Sequence, residues 1–278
     1  MLKQARDLGI VQIRILDPAG RDHELEQAVT SRFGLAGARV LEVTPETDVL
    51  PGVGRLAARW LEETLRDGQV VALSWGQTLQ AMVRAVDGLA RRDVEVVQLV
   101  GGLSALASAV TGQELVRELS ERMGARHRYL HAPALFGSAE ALAMMLREQA
   151  IADALNAAKR ADVAIVGIGT PGIGSSAALI DALGLTPGQR ADFEACGPVG
   201  DVCARFYDLS GHEVRSIVSE RVLAVTLDDL RAIPTVAGVA AGQEKAPGIL
   251  GAVRGRIIDV LICDQEAARS ALSLDGGR

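Results

Sequence analysis

The stretch Val70-Val71-Ala72-Leu73-Ser74-Trp75-Gly76-Gln77-Thr78-Leu79 runs from a short apolar segment through small and polar residues into an amphipathic one. An apolar run of strand length, a tight turn and a helix start is the unit from which parallel sheets covered by helices are built. Working outward, the same alternation recurs on both sides. Apolar, β-branched runs predict strands at 10–15, 39–43, 70–73, 94–99, 161–166, 235–237 and 257–262. Helical spacing of apolar residues fills 22–33, 52–67, 77–89, 112–123, 139–160, 244–254 and 264–272. The expected fold class is therefore α/β, a doubly wound, mostly parallel sheet. Between residues 167 and 232 the alternation weakens, which predicts an irregular lobe within the domain.

The composition is compatible with such a core. The chain has 278 residues, 49% hydrophobic and 23% charged, so disorder and disulfide-scaffold classes are excluded. Two Trp, two Tyr and four Phe are too few for a single-strand nucleic-acid surface built on stacking. A net charge of −6 argues against a nonspecific grip on phosphate backbones, so any DNA contact needs another module. Three cysteines without CxxC spacing fit a reducing compartment, and the sequence carries neither a membrane span nor a leader. A cytoplasmic protein with no membrane partner is the expectation.

Four segments are candidates for chemistry. In the opening stretch, a helix N-terminus following Gly76 directs free N–H groups at an anion, with Ser74 and Thr78 hydroxyls as further donors. The same sequence also serves a plain connection in which Ser74 caps the helix. Residues Gly167-Ile168-Gly169-Thr170-Pro171-Gly172 satisfy GxGxxG after a strand, but Pro171 and further glycines prolong a loop where a dinucleotide fingerprint would open a helix. A close-approach loop at the carboxyl edge of the sheet is the preferred reading. Lys245, one of only three lysines with Lys3 and Lys159, falls in a first helical turn, where the dipole disfavours a cation unless an anion answers it. Residues Gly200-Asp201-Val202-Cys203-Ala204-Arg205-Phe206-Tyr207-Asp208 read as a hairpin or loop. Histidines are dispersed, no metal-ligand spacing occurs, and no nucleophile or base is identified, so no catalytic residue, metal or cofactor is assigned.

The ordered set Leu2-Lys3-Gln4-Ala5, Gly9-Ile10-Val11-Gln12-Ile13, Ser74-Trp75-Gly76-Gln77-Thr78-Leu79, Val97-Gln98-Leu99-Val100-Gly101-Gly102-Leu103, His131-Ala132-Pro133-Ala134, Val166-Gly167-Ile168-Gly169, the segment from Gly200 to Asp208, and Gly242-Gln243-Glu244-Lys245-Ala246 resembles the effector domain of the SorC family of bacterial transcription regulators. The resemblance covers about residues 2–272. It implies a Rossmann-like α/β fold shared with sugar-phosphate isomerases and deaminases, a homodimer or homotetramer, and an effector that is a sugar, polyol or sugar phosphate and alters operator binding. It also implies residues 1–9 as the end of a linker helix and 10–274 as the effector domain, with DNA reached only through an N-terminal helix-turn-helix that this sequence does not include.

Carried over by motif, Ser74, Trp75, Gly76, Gln77 and Thr78 would hold the ligand's phosphate or hydroxyls. Gly101 and Gly102 would line the pocket, Asp201 would bind sugar hydroxyls, and Lys245 would meet an anionic group. The bulk of Trp75 beside that loop favours a small monophosphate or an unphosphorylated polyol over a large bisphosphate. A sugar-phosphate isomerase or deaminase of the same fold is the alternative reading.

Overall fold

The computed structural model describes residues 20–87, 93–103 and 111–276. In chain order its elements are α1 (His23–Phe33), β1 (Gly37–Leu41), α2 (Val49–Thr64), β2 (Val70–Leu73), α3 (Gln77–Ala85), β3 (Glu95–Gln98), α4 (Gly112–Met123), β4 (Arg126–Arg128), α5 (Ala139–Met145), α6 (Gln149–Lys159), β5 (Val163–Gly167), α7 (Gly174–Ala182), α8 (Pro187–Ala195), β6 (Gly200–Val202), β7 (Arg205–Tyr207), α9 (Leu227–Ala232), β8 (Thr235–Val239), α10 (Ala246–Arg254), β9 (Val260–Asp264) and α11 (Gln265–Gly276). Seven strands form one sheet in the order β1-β9-β8-β5-β2-β3-β4, and every pairing in it is parallel.

Strand residues alternate between two apolar layers because successive side chains point to opposite faces. Val163 and Ile165 of β5 join Val71 and Leu73 in a layer covered by α2, α3 and α4. Ala164 and Val166 join Ala72 in a second layer shared with α1, α6, α7, α10 and α11. Both faces of the sheet are covered, as the near-continuous apolar strands require. The chain runs outward from β2 through β3 to β4, then returns to place β5 on the other side of β2 and continues to β8 and β9. The connections after β2 and β5 leave in opposite directions, so a crevice opens outside their carboxyl ends.

The expected strands inside the described residues are all present, with bounds shifted by a few positions; the expected strand at 10–15 and the helix at 1–9 lie outside them. The predicted helix over 139–160 is two helices, α5 and α6, broken at residues 146–148. Glu148 takes an extended backbone and supplies no side-chain cap to α6. Strand β4, with sequence Arg-His-Arg, carries no apolar pattern because it is an exposed edge.

The irregular lobe resolves into α7, α8, an antiparallel hairpin β6–β7 and α9. Its Phe193, Val202, Phe206 and Tyr207 bury in the same apolar layer as α10 and α11. The hairpin turn is formed by Cys203 and Ala204, both left-handed at φ 51° and 61°, where glycine or asparagine is usual. Two L-residues held in that region store strain of about 1–3 kcal/mol each, a feature concentrated at functional sites. The buried Arg205 fastens the hairpin: its guanidinium donates to the carbonyls of Ser219, Val222, Ala224 and Val225 at 2.9–3.3 Å.

Candidate functional site: a cleft at the β2–β5 crevice

A cleft of about 160 Å³ opens where β2, β5 and β8 end, and four segments line it. They are Ser74–Thr78 after β2, Gly167–Ser176 after β5, the turn of β6–β7 with Asp201, and Ala241–Lys245 after β8. Of the residues predicted from sequence, Ser74, Trp75, Gly76, Gln77, Thr78, Asp201 and Lys245 meet here. Gly101 and Gly102 do not; neither lines the cleft. Gly101 instead lies where a Cβ would come within 2.6 Å of the Pro133 backbone, and its N–H donates to Leu223 O, so the glycine is needed for packing of two chain segments. Gly102 exchanges backbone hydrogen bonds with Ala132 and Ala134.

The helix-capping alternative for Ser74 is not what forms. Ser74 is buried and its Oγ accepts from the adjacent Trp75 N–H at 2.6 Å. The N-cap of α3 is Gly76, at φ 133° and ψ 168°, a conformation essentially closed to other residues, and no side chain caps the helix. The first N–H groups of α3 therefore face the cleft without a side-chain partner among the described residues. Trp75 is partly buried and its indole packs against both apolar layers. Its Nε1 is shielded from water and has no hydrogen-bond partner among the described residues.

A second helix start was not read as a site from sequence. The GxGxxG loop leads, after Pro171 and Gly172, into α7 at Gly174, and Ile173 at its N-cap supplies no side-chain cap either. Gly174, Ser175 and Ser176 line the cleft opposite α3. Gly169 has no room for a side chain: a Cβ there would collide with the Asp201 carboxylate and the Ser176 hydroxyl. The glycines thus serve close approach of the loop to the hairpin, as the preferred sequence reading had it, and two uncapped helix N-termini converge on one space. The available signal was the pair Ser175-Ser176 after a glycine.

Asp201 and Lys245 bring an acid and a base to this space. Asp201 is buried, its Oδ1 accepts from Ser176 Oγ at 2.5 Å, and burial raises its pKa above 3.8 against the pull of Ser176, Lys245 and the Ala204 N–H. Partial burial lowers the Lys245 pKa from 10.5, while Glu244 and Asp201 act the other way. Among the described residues Lys245 has no ion pair within 4 Å. Cys203 is also in the wall, but burial pushes its thiol up to about 12, so it is an unreactive surface. Glu244, missed from sequence, lies over Gly242, and its carbonyl accepts from Thr170 Oγ1 at 3.3 Å. No group of three or more potential metal ligands occurs among the described residues.

A doubly wound sheet with donors gathered at its switch point defines an α/β small-molecule-binding domain. The chain belongs to the sugar-binding domain family of SorC/DeoR-type transcriptional regulators, whose family model matches residues 17–273. It is 31% identical over 275 residues to the deoxyribonucleoside regulator of Bacillus subtilis (strain 168), covering 98% of this chain and 87% of that protein. It is likewise 31% identical over 276 residues to the sorbitol operon regulator of Klebsiella pneumoniae, with the same two coverages. The crystal structure of the full-length sorbitol operon regulator SorC from Klebsiella pneumoniae superposes with a TM-score of 0.85 at 30% identity, covering 98% of this chain and 87% of that one. These relatives are transcriptional regulators, so the isomerase or deaminase alternative is set aside and the chain is an effector-sensing domain. Among the described residues no helix is long and apolar enough to cross a membrane.

Proposed function

We propose that the cleft binds a phosphorylated sugar or polyol and that its occupancy controls operator binding by the regulator to which this domain belongs. The observation that carries this reading is the meeting of two uncapped helix N-termini, at Gly76 and Ile173, with Lys245 in one cleft. Backbone N–H groups and the positive ends of both helices favour a phosphate group, and Lys245 answers its charge. Asp201 and the Ser175 and Ser176 hydroxyls then face the sugar hydroxyls. Binding is noncovalent, with no cofactor or metal. The regulator acts in the cytoplasm as a homodimer or homotetramer, in keeping with its kinship to operon regulators.

Isothermal titration with a panel of C4–C6 sugars, polyols and their phosphates tests the reading. A phosphate ester should bind at least about tenfold tighter than its parent sugar, equivalent to about 1.4 kcal/mol, and Lys245→Ala should remove most of that preference. Equal affinity for ester and parent would overturn it.

A further inference from the structure

The cleft continues into two arms that share Leu50 and Gln77 with it. One arm follows the carboxyl ends of β1, β9 and β8 and carries the carboxylates of Glu244, Asp264 and Glu266. The other is a groove of about 340 Å³ between α2 and α3, with Leu50, Pro51, Ala81 and Ala85 as its apolar part and Arg55, Arg84, Gln77 and Gln80 as its polar part. The groove forms because the two helices touch through their backbones: a Cβ on Gly54 would lie 2.6 Å from the Ala81 carbonyl carbon. Gln77, Gln80 and Arg84 fall at i, i+3 and i+7 on one face of α3, and Pro51 and Arg55 at i and i+4 on the facing side of α2. Both arginines are exposed, and among the described residues neither has an ion pair within 4 Å.

We propose that this groove is a second anion subsite, so that the effector carries two anionic groups, one at the helix N-termini and one between Arg55 and Arg84. The inference rests on the phosphate reading of the main cleft. Arg84 lies seven residues beyond Gln77, roughly 10 Å along the helix at 1.5 Å per residue, a span that the carbon chain of a five- or six-carbon sugar bridges between terminal phosphates. The apolar floor suits that chain, and planar guanidinium groups suit phosphate or carboxylate. Charge decides between the arms: the carboxylates of the first repel a second anion, and the arginines of the other attract it. Trp75, whose bulk argued for a small ligand, lines neither arm. The expectation of a monophosphate or unphosphorylated polyol gives way to a doubly anionic sugar.

The test is titration of the full chain with three matched pairs: fructose 1,6-bisphosphate and fructose 6-phosphate, ribulose 1,5-bisphosphate and ribulose 5-phosphate, and glucose 1,6-bisphosphate and glucose 6-phosphate. For at least one pair the bisphosphate should bind about tenfold or more tighter, a gain in the range of a charge-assisted bidentate contact. The double variant Arg55→Ala/Arg84→Ala should erase that advantage and leave monophosphate affinity unchanged. Arg59→Ala, on the same helix but outside the groove, should preserve it. An advantage that survives in the double variant, one lost equally in Arg59→Ala, or no advantage in any pair overturns the subsite and leaves the main cleft's reading intact. Absence of binding by every phosphate overturns both.

Discussion

At the residue scale the site is built from charges that the fold itself does not favour. Asp201 is buried with its pKa raised, burial being the largest cause. A carboxyl with a folded pKa above its unfolded value contributes stability that is fully present below the ordinary 3.8 and lost as pH rises through the folded value. As pH rises above the ordinary carboxylate range, burial of Asp201 is therefore a cost to the empty protein. Asp201→Asn keeps the shape and the Ser176 contact without the charge, so it should raise the melting temperature at pH 7. The gain should shrink as pH is lowered toward 3.8, while sugar affinity falls at every pH. Thermal melts of both proteins from pH 4 to 8 check this; equal melting temperatures at pH 7 would refute it. The role proposed for Asp201 comes from family resemblance alone, because a lone acid in a hairpin of mixed residues has no pattern that separates ligand contact from surface charge.

At the element scale, two connections hold the cleft open, and each predicts a variant. Gly76→Ala meets no atom within 4 Å, so its cost is purely conformational. At φ 133° it should destabilise the protein by about 1–3 kcal/mol and turn the α3 N–H groups away from the ligand, seen as loss of sugar-phosphate affinity together with a lower denaturation midpoint. Arg205→Ala deprives four backbone carbonyls of their donor; leaving buried carbonyls unpaired should cost about 3 kcal/mol, measured by urea unfolding. The two differ in what the sequence discloses. Gly76 stands between an apolar strand and an amphipathic helix, so its place at a helix start was readable. The lobe is less open to reading: the segment from Gly200 to Asp208 reads only as a hairpin or loop, because β6 and β7 span three residues each, too short for a period to be counted, and their apolar residues bury by tertiary contact. Gly101 and Gly102 failed as pocket residues for a related reason, since a glycine needed for chain packing and one needed for ligand approach are identical in sequence.

At the scale of the whole molecule, the sheet is the rigid part and the sensing surface is borrowed from its connections. The parallel strands, buried on both faces, were legible as continuous apolar runs, and the switch point followed once their order was known. Which segments converge there was not legible, because β2, β5, β8 and the β6–β7 turn are separated by long stretches of chain and only the strand order brings them together. A site assembled in this way couples ligand binding to the stability of the entire domain. A sugar phosphate at a hundred times its dissociation constant should stabilise the folded state by about 2.7 kcal/mol, and at about 2–4 °C per kcal/mol for a chain of this class raise the melting temperature by roughly 5–11 °C. The shift should also depend on pH. Lys245 titrates below its ordinary 10.5, so the empty cleft loses its cation earlier than a solvated lysine would as pH rises. A bound phosphate holds the proton on Lys245, and by linkage ligand affinity must fall as pH rises through the lowered value. Melting curves with and without ligand between pH 7 and 10 should show the ligand-induced shift shrinking toward alkaline pH. Lys245→Arg, which stays charged throughout, should flatten that decline, and a decline of the same steepness in Lys245→Arg would assign the titration to some other group.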